Sequence, residues 1–454
     1  MPDISDALHL PCGARLPNRL AKAAITEGLA DERGWPTAGL EKLYAGWSDA
    51  GFGLLISGNI LVDGEHLERP GNIIIDRECA VQAQALRRWT AGATQAGAHF
   101  WAQLSHSGRQ TPKGVNPYPL SVSELQVGLP GGLFGKPRAM TAGELHLLVE
   151  KFATAAAVCK AVGFTGVEIH AAHGYLLGSF LAPKVNNRED RWGGPLENRA
   201  RLLLDVVAAV RKRVGRQFPI AVKLNSADFQ RGGFDEKDSL TVGKWLEAAG
   251  VDLLEISGGT YESPVMLGAA GISADCEQPA RKASTAAREA YFFDFARAMR
   301  QELTMPIMLT GGFRSRAGMK AALDEGVDLL GLARPVCIDQ GCVKALLSGE
   351  VDRLNSWEES LKREKGLFSS NSPIPLIGML TNFAAIYWFY AQLYRLAKGK
   401  AANVKLWPPR AMFEVITTEN AILARRRRWL QNAETSVETP PAEVPARTTG
   451  KRAA

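Results

Sequence analysis

The sequence contains little cysteine, and its cysteines are scattered. No two of them form a CxxC motif or the spacing of a zinc finger. We therefore expect no disulfide framework, and a reducing, cytoplasmic location is the expected one. The six positions are Cys12, Cys79, Cys159, Cys276, Cys337 and Cys342.

Long apolar runs are scarce as well. The N-terminal residues do not combine a basic start with an apolar run of about 7 to 15 residues, so no secretory signal is expected. Residues 376–394 come nearest to a membrane span, but Thr381, Asn382 and Gln392 interrupt this apolar and aromatic stretch. Basic residues follow it, as in a helix that lies on a membrane surface. We favour the alternative, in which residues 376–394 form a helix that packs on the main folded domain of this chain or on a second subunit.

Positive charge is in excess, but only near one end of the chain. The sequence has 54 basic and 47 acidic residues, a formal charge of +7. Residues 395–454 hold 12 of the basic and 5 of the acidic residues, so this segment accounts for the whole excess. The neutral remainder argues against a nucleic-acid partner, because such a partner requires a basic face around the site.

Short apolar runs alternate with helical stretches along the chain. This alternation predicts a parallel sheet with crossover helices, and eight repeats over about 330 residues fit a (β/α)₈ TIM barrel of the α/β class. An open doubly wound sheet is the alternative, but no GxGxxG turn follows the first run. The runs lie at residues 20–26, 53–57, 99–104, 166–170, 219–224, 252–257, 306–310 and 328–333.

Helix boundaries and loop lengths support the barrel. Thr141 and Glu144 form a capping-box sequence, and Pro195 opens a second helix that Gly215 ends. The carboxyl ends of the strands are the barrel face that carries active sites. The longest connections all follow such strand ends, at residues 105–138, 171–195 and 258–284.

The densest group of chemically active residues begins where the fourth strand ends. His170, His173 and Tyr175 follow one another closely there. At a barrel mouth, two imidazoles and a phenol can converge to give hydrogen-bond donors for a carbonyl or anionic oxygen and a proton donor. The alternatives are a metal site, for which the spacing supplies no third ligand, and two buried structural histidines.

These motifs together resemble the Old Yellow Enzyme family, the FMN-dependent NAD(P)H:flavin oxidoreductases and ene-reductases. The resemblance covers about residues 18–338, and it implies a (β/α)₈ barrel that binds FMN and uses NADH or NADPH. Its motifs occur in order on the predicted strands. They are Ala24-Ile25-Thr26, the QLSHSGR segment of residues 103–109, the HAAHGY segment of residues 170–175 and the loop of residues 186–199.

The resemblance also implies a role for each matching residue. His170 and His173 anchor the substrate, Tyr175 donates a proton, and Thr26 contacts the flavin and tunes its potential. The phosphate is expected after strands seven and eight, where a barrel offers backbone N–H groups and a cation. No metal is expected. The expected FMN-binding residues are Ala24, Ile25, Thr26, Gly58, Gln103, Lys223, Gly311, Gly312, Ala333 and Arg334.

Three positions depart from the family pattern. Lys223 stands where many members carry Arg, which keeps a positive charge beside the flavin but replaces a planar fork by a point charge. Ala24 stands where Pro is common, and Gly28 where one subgroup has a substrate-binding Tyr, so a more open pocket is expected. Cys337 and Cys342 are too few and wrongly spaced for an iron–sulfur cluster, so electrons are expected to arrive directly from a nicotinamide.

The sequence thus predicts an oxidoreductase in which NAD(P)H reduces FMN and an α,β-unsaturated carbonyl or related electrophile then takes the hydride. The alternatives are another FMN barrel, such as a dihydrouridine synthase acting on RNA, and a non-catalytic scaffold at a membrane. The expected domains are a catalytic barrel over residues 1–365, a helical extension over 366–432 and a disordered tail over 433–454. A small-molecule substrate and a homodimer are expected.

Overall fold

The computed structural model is built around a closed barrel of eight parallel strands. It describes residues 2–129, 132–260, 262, 292–361 and 375–437. Each strand pairs with the next along the chain, and the eighth pairs with the first, which confirms the predicted barrel. The strands are β1 (Leu20–Lys22), β2 (Leu54–Leu61), β3 (His99–Ser105), β4 (Gly166–Ala171), β5 (Ile220–Asn225), β6 (Leu253–Ser257), β7 (Ile307–Thr310) and β8 (Leu329–Leu332).

Burial on both faces explains the apolar composition of the strands. Every residue of β2, β5 and β6 is buried. Outward side chains pack on the surrounding helices, and inward ones form a second core that includes Ile56, Trp101 and Met308. A hairpin of Leu8–His9 and Arg15–Leu16 packs on this second core. One end of the barrel is therefore filled with apolar side chains, which leaves the carboxyl-terminal face for chemistry.

Helices follow the strands and cover the barrel. The predicted capping box is present, since the Thr141 hydroxyl accepts from the Glu144 N–H at 3.3 Å and the Glu144 carboxylate accepts from the Thr141 N–H at 2.9 Å. The helices are α1 (Ala38–Asp49), α2 (Ala80–Thr94), α3 (Ala142–Ala161), α4 (Leu176–Leu181), α5 (Leu196–Val214), α6 (Glu236–Ala248), α7 (Phe293–Glu302), α8 (Arg316–Asp324), α9 (Cys342–Ser348), α10 (Trp357–Leu361), α11 (Pro375–Ala397) and α12 (Pro408–Val437).

Two strand boundaries differ from the prediction in ways that affect the site. β1 ends at Lys22 rather than at residue 26, because its pairing with β2 and β8 stops there. Residues 24–26 therefore lie in the loop that follows β1. β2 continues to Leu61, and its pairing with β3 shifts in register beside Gly58. Gly58 thus lies within a strand at an irregular point, where a close backbone approach is common.

The chain continues after the barrel as two long helices that pack against each other. The indole N–H of Trp388 on α11 donates to the carbonyl oxygen of Leu406 at 2.8 Å. Gln392 exchanges hydrogen bonds with the backbone of Asn403, which fixes the connection between the helices. Within the described ranges, none of the helices has both the length and the apolar content that crossing a bilayer requires.

Some predicted segments fall partly outside the described residues. Of the third long connection, only residues 258–260 and 262 are described. The predicted domain boundary at residue 365 falls among residues 362–374, which lie outside the described part, so the domain division stays a prediction. For the predicted disordered tail, α12 continues to Val437, and residues 438–454 lie outside the described residues.

Candidate active site

Three side chains selected from the sequence meet at the carboxyl end of β4. His170 lies on the strand, and Tyr175 precedes the first residue of α4. Between them, His173 has a φ of 60°, a left-handed conformation that turns the chain. The His170 ring centroid lies 5.0 Å from that of His173 and 4.8 Å from that of Tyr175. Two imidazoles and a phenol therefore lie in contact at the carboxyl end of β4.

Both imidazoles are neutral at physiological pH. Burial holds the pKa of His170 well below its usual range, and the neighbouring His173 and Lys223 add to this effect. Burial and Lys223 lower the pKa of His173 to about 3. Nδ1 of His170 accepts the N–H of Ala172 at 3.2 Å, so the ring proton is assigned to Nε2. Nε2 of His173 lies 2.7 Å from the Ser257 hydroxyl. Each neutral ring thus offers one N–H donor.

A buried polar network lies on the neighbouring strands. Gln103 on β3 donates a side-chain hydrogen bond to Glu168 on β4. Lys223 on β5 faces its cross-strand neighbour Glu255 on β6, with 2.8 Å between the ammonium and the carboxylate. The Thr310 hydroxyl on β7 donates to the same carboxylate at 2.6 Å. The network therefore spans five consecutive strands, β3 to β7, and it holds Gln103 and Lys223, two of the expected flavin contacts.

This network is electrically balanced because its two glutamates differ in protonation. Burial and the adjacent Glu255 raise the pKa of Glu168 well above its usual range. Burial opposes ionisation of Glu255, but Lys223 and the hydrogen bonds from Glu168 and Thr310 together lower the pKa of that carboxyl. The raised pKa of Glu168 favours its protonated form, so that the Glu255 carboxylate balances the Lys223 ammonium. Neither glutamate can be given a role from the sequence, because a single acid in an apolar run does not reveal its partner on another strand.

The loop after β1 places Thr26 against β2. The Thr26 hydroxyl donates to the Glu68 carboxylate at 2.8 Å and accepts from the N–H of Asn59 at 3.4 Å. A Cβ at Gly58 would stand 2.6 Å from the carbonyl oxygen of Ile25 and 2.8 Å from the Cα of Thr26. Any side chain at position 58 would therefore push this loop off the barrel.

A buried lysine fixes the start of the same loop. Lys22 donates to Glu27 at 3.3 Å, to the Tyr44 hydroxyl at 2.9 Å and to the carbonyl oxygen of Ile56 at 2.8 Å. The Tyr44 hydroxyl in turn donates to Glu27. Burial lowers the pKa of Lys22 and raises the pKa of Tyr44 well above its usual range. This triad was not predicted from the sequence, and it anchors the residues on both sides of Ala24 and Ile25.

A second arginine joins the residues expected at the phosphate. Gly311 and Gly312 follow β7 with φ values of 123° and 89°, which glycine adopts without strain. Arg334 follows β8, and its Nη1 lies 3.7 Å from Oε1 of Glu358. Arg314, which is not among the expected ligands, contacts the same oxygen. Two guanidinium groups that meet at one carboxylate form a site for an anion.

The remaining expected residues contribute apolar surface. Ala24 and Ala333 both pack on the second core, inside the barrel, at the ends of the paired strands β1 and β8. Ile25 packs on the core between the strands and the surrounding helices. The backbone and methyl groups of these residues can contact a planar ring, but their side chains offer it no hydrogen bonds.

A separate polar cluster meets the geometry of a metal site. Among the described residues, Asp63, His66 and His106 are the one group whose three ligand atoms lie within 4.8 Å of one another. Its atoms are already engaged, since His66 Nδ1 lies 3.0 Å from Asp63 and His66 Nε2 accepts the N–H of Leu120 at 2.9 Å. The ammonium of Lys151 lies 2.5 Å from the second Asp63 oxygen. The distances between these residues along the chain gave the sequence analysis no motif to detect.

The donor groups present fit FMN. The amide of Gln103 and the ammonium of Lys223 can serve the carbonyl and nitrogen atoms of a flavin ring. Arg314, Arg334 and the glycine turn of residues 311–312 can serve a dianionic phosphate. Both sets belong to strands whose carboxyl ends open on the same face of the barrel.

Comparison with known proteins also indicates a flavin-binding barrel, and the similarity covers most of the chain. Residues 12–350 match the model of the NADH:flavin oxidoreductase / NADH oxidase family. The NADH-dependent flavin oxidoreductase iliE of Hypocrea jecorina is 36% identical over 353 residues, which are 73% of this chain and 86% of that protein. The NADH-dependent flavin oxidoreductase iccE of Talaromyces variabilis is 33% identical over 420 residues, 87% of this chain and 98% of that protein. That alignment is long enough to reach past residue 350.

Solved structures share the fold. The Old Yellow Enzyme homologue from Zymomonas mobilis has a TM-score of 0.65 and 24% identity, and it covers 82% of this chain and 100% of its own. Morphinone reductase has a TM-score of 0.62 and 23% identity, with 78% of this chain and 91% of its own covered. At such low identity these likenesses concern the barrel architecture alone.

Proposed function

Because the chain belongs to the NADH:flavin oxidoreductase / NADH oxidase family, it is an FMN-dependent oxidoreductase that uses NADH or NADPH, and we propose that it reduces an α,β-unsaturated carbonyl or a related electrophile. Bound FMN supplies the redox chemistry, since it accepts a hydride from the nicotinamide and passes it to the second substrate. The two substrates use the same site in turn. The family assignment replaces both alternatives considered from the sequence, an RNA-modifying flavin enzyme and a non-catalytic scaffold.

The neutral imidazole pair is the observation that carries this proposal. His170 and His173 each offer an N–H donor without a full positive charge. Such donors suit a carbonyl oxygen, and their hydrogen bonds strengthen as negative charge develops on that oxygen during hydride transfer. Holding the oxygen also orients the double bond, which is the second contribution that the protein makes to the rate.

Tyr175 is proposed as the proton donor. Its ring lies 4.8 Å from that of His170, and its side chain is buried. The hydride arrives at the β-carbon, the carbon–carbon double bond opens, and the α-carbon takes the proton of the Tyr175 hydroxyl. Solvent then returns a proton to the tyrosinate, so the net change is addition of two hydrogen atoms across the double bond.

The other selected residues are proposed to hold the cofactor. Gln103 and Lys223 would bind the flavin ring, and Lys223 would keep positive charge where reduction adds electron density. Thr26, on its loop against Gly58, would contact the same ring. Arg314 would bind the phosphate together with the residues named from the sequence. The complete proposed set is Ala24, Ile25, Thr26, Gly58, Gln103, Lys223, Gly311, Gly312, Arg314, Ala333 and Arg334.

A purified sample tests the proposal directly. We expect a yellow protein whose flavin absorption bleaches under anaerobic NADH or NADPH and returns when 2-cyclohexenone is added. A colourless protein that does not bind added FMN would overturn the assignment of the cofactor site. A yellow protein that bleaches with nicotinamide but is not reoxidised by any enone would reject the acceptor class and leave the family chemistry in place.

A homodimer and a cytoplasmic location are also proposed. Trp407, Phe413 and Leu430, on or beside α12, are 62%, 71% and 41% exposed, and apolar side chains at that level favour a partner surface. None of the five described cysteines forms a disulfide, in keeping with a reducing compartment. Light scattering of the full chain measures the oligomeric state, and a monomer at all concentrations would contradict the dimer.

A further inference from the structure

The C-terminal helices reach the active-site face through one buried arginine. Arg69, in the connection between β2 and α2, is 7% exposed. Its Nη1 donates to the carbonyl oxygen of Thr26 at 3.2 Å, and its Nε donates to Glu419 on α12 at 2.7 Å. Its Nη2 donates to the hydroxyl of Tyr394 on α11 at 3.4 Å. One guanidinium therefore joins both helices to the loop that carries Thr26.

Gly28 leaves the space that this guanidinium fills. A Cβ at Gly28 would stand 3.1 to 3.2 Å from three guanidinium atoms of Arg69. The Tyr394 hydroxyl donates to the carbonyl oxygen of Gly28 at 3.4 Å, and the guanidinium carbon lies 3.8 Å from the centroid of the Tyr390 ring. Arg69 thus occupies the space that a side chain at position 28 would need. Two tyrosines of α11 contact Arg69 there.

We propose that Arg69 is a positioning residue through which the C-terminal extension, α11 and α12, sets the geometry of the Thr26 loop. The extension is then part of the active site, because it determines how tightly the loop holds the flavin. This inference rests on the proposed function in one respect, namely that Thr26 lies beside the flavin. The extension lies beyond residues 12–350, the part that matches the family model.

The residue before Arg69 provides a second connection to Thr26. Glu68 accepts from the Thr26 hydroxyl at 2.8 Å and from the side-chain amide of Asn59 at 2.6 Å. The backbone N–H of Arg69 donates to Asn72 at 2.8 Å, which fixes the chain at this point. Consecutive residues therefore hold the hydroxyl and the carbonyl of Thr26, and a shift of Arg69 would displace both.

Glu419 is the group that keeps Arg69 in place. Burial removes water from a guanidinium, and a carbonyl oxygen such as that of Thr26 supplies only a partial charge in return. The Glu419 carboxylate supplies a full one at hydrogen-bond distance. If Glu419 were neutral, Glu68 would still compensate part of the charge of Arg69, but the loss of the hydrogen-bonded carboxylate would favour movement of Arg69 toward water, and the bond to Thr26 would break.

The test compares Glu419→Gln with Glu414→Gln. Both variants remove one negative charge from α12 and keep the shape of the side chain. Glu414 is the matched control because it forms a surface ion pair with Arg410 at 3.0 Å, on the same helix. In each holoenzyme we would measure amide hydrogen exchange across residues 24–30, the FMN dissociation constant and the midpoint potential of the flavin.

We expect the two variants to differ. Glu419→Gln should speed exchange across residues 24–30 and weaken FMN binding, each by about 3- to 10-fold, as for the loss of one hydrogen bond. The flavin potential should shift, while Glu414→Gln should match the parent protein in every measurement. Tyr394→Phe removes the contacts to Arg69 and Gly28 but keeps the ring. Tyr394→Phe should also speed exchange across residues 24–30 and weaken FMN binding, but by a smaller factor. If Glu419→Gln does not fold, Tyr394→Phe provides the test in its place.

Two results would overturn the inference. Faster exchange confined to α11 and α12, with residues 24–30 unchanged, would make the extension a cover that has no influence on the site. Faster exchange across residues 24–30 with unchanged FMN affinity and potential would show a mechanical link without functional effect. If the parent protein binds no flavin, the proposed function fails, and the exchange comparison still decides whether Arg69 couples the extension to the loop.

Discussion

Lys223 and Glu255 form a buried ion pair inside the barrel, with 2.8 Å between the ammonium nitrogen and Oε1 of the carboxylate. They are cross-strand neighbours, so the register of β5 and β6 fixes their separation. The same ammonium lowers the pKa of both His170 and His173. One lysine therefore balances a buried carboxylate and adds to the effect of burial, which favours the neutral form of both imidazoles.

Replacing Lys223 by methionine should destabilise the fold. Lys223→Met leaves the Glu255 carboxylate buried without its cation, and we expect the free energy of unfolding to fall by about 3 to 5 kcal/mol near neutral pH. Urea unfolding of the variant and the parent protein measures this change. In Lys223→Met with Glu255→Leu, both charges are absent, and most of the loss should be recovered. Equal losses in the single and double variants would contradict a direct pairing.

Replacing Tyr175 by phenylalanine should slow one half of the catalytic cycle. Tyr175→Phe keeps the buried ring and removes the proton that the α-carbon takes. We expect alkene reduction to slow by about 10²- to 10⁴-fold and flavin reduction by the nicotinamide to change little. Stopped-flow measurement of the two half-reactions separates them. Tyr118→Phe is the control, because Tyr118 is 67% exposed. Equal slowing of both half-reactions would reject the proton-donor role.

His173 should make the fold sensitive to acid. The folded-state pKa of this imidazole is about 3, against an ordinary value of 6.5. Above pH 6.5 the ring is neutral in both states, and its contribution to stability is complete. Between pH 6.5 and 3 only the unfolded chain binds the proton, so the free energy of unfolding decreases as the pH falls, by up to about 1.4 kcal/mol per unit. The partial exposure of the ring reduces this slope.

The variant His173→Asn isolates that contribution. Urea unfolding near pH 7 and near pH 5 should show a smaller difference for His173→Asn than for the parent protein, because asparagine does not titrate. His170 titrates in the same direction and remains in both proteins as a common background. An unchanged pH difference in the variant would contradict the depressed pKa of His173.

Replacing Arg334 should affect FMN but not riboflavin. Arg334→Met removes one of two cations at the proposed phosphate site, and loss of a charge-assisted hydrogen bond weakens binding by about 10- to 150-fold. Riboflavin has no phosphate, so its affinity should stay the same. Fluorescence titration of the apoprotein with both flavins measures the difference. Arg316→Met is the control, because Arg316 pairs with Asp3. Equal weakening for both flavins would place the phosphate elsewhere.

The barrel could be predicted because its strands are buried on both faces. Such strands produce apolar runs that stand out between helices, and all eight runs are strands in the structure. The end of β1 could not be predicted, because the apolar run continues to Ile25 while the pairing with β2 and β8 stops at Lys22. Side-chain composition reports burial, whereas the end of a strand depends on its neighbours.

The polar network was less accessible to sequence reasoning than the histidine motif. His170 and His173 lie within one short segment, so their proximity follows from chain connectivity. Glu168 and Glu255 lie on β4 and β6, the two neighbours of β5, and their proximity depends on the register of three strands that are far apart along the chain. Arg69 and Glu419 are 350 residues apart, in a loop and on a charged helix, where no residue pattern indicates a contact.

That separation has a consequence for biosynthesis. At about 5 to 20 residues per second, Glu419 leaves the ribosome roughly 20 to 70 seconds after Arg69. Late in this interval, once β8 (Leu329–Leu332) has been made, the barrel strands are complete, but the guanidinium still lacks Glu419 and the Thr26 loop lacks one of its anchors. A nascent chain that stops in the connection before α11 should therefore fold its barrel and still retain flavin poorly, so α11 and α12, which are translated after the barrel, decide when the enzyme becomes competent.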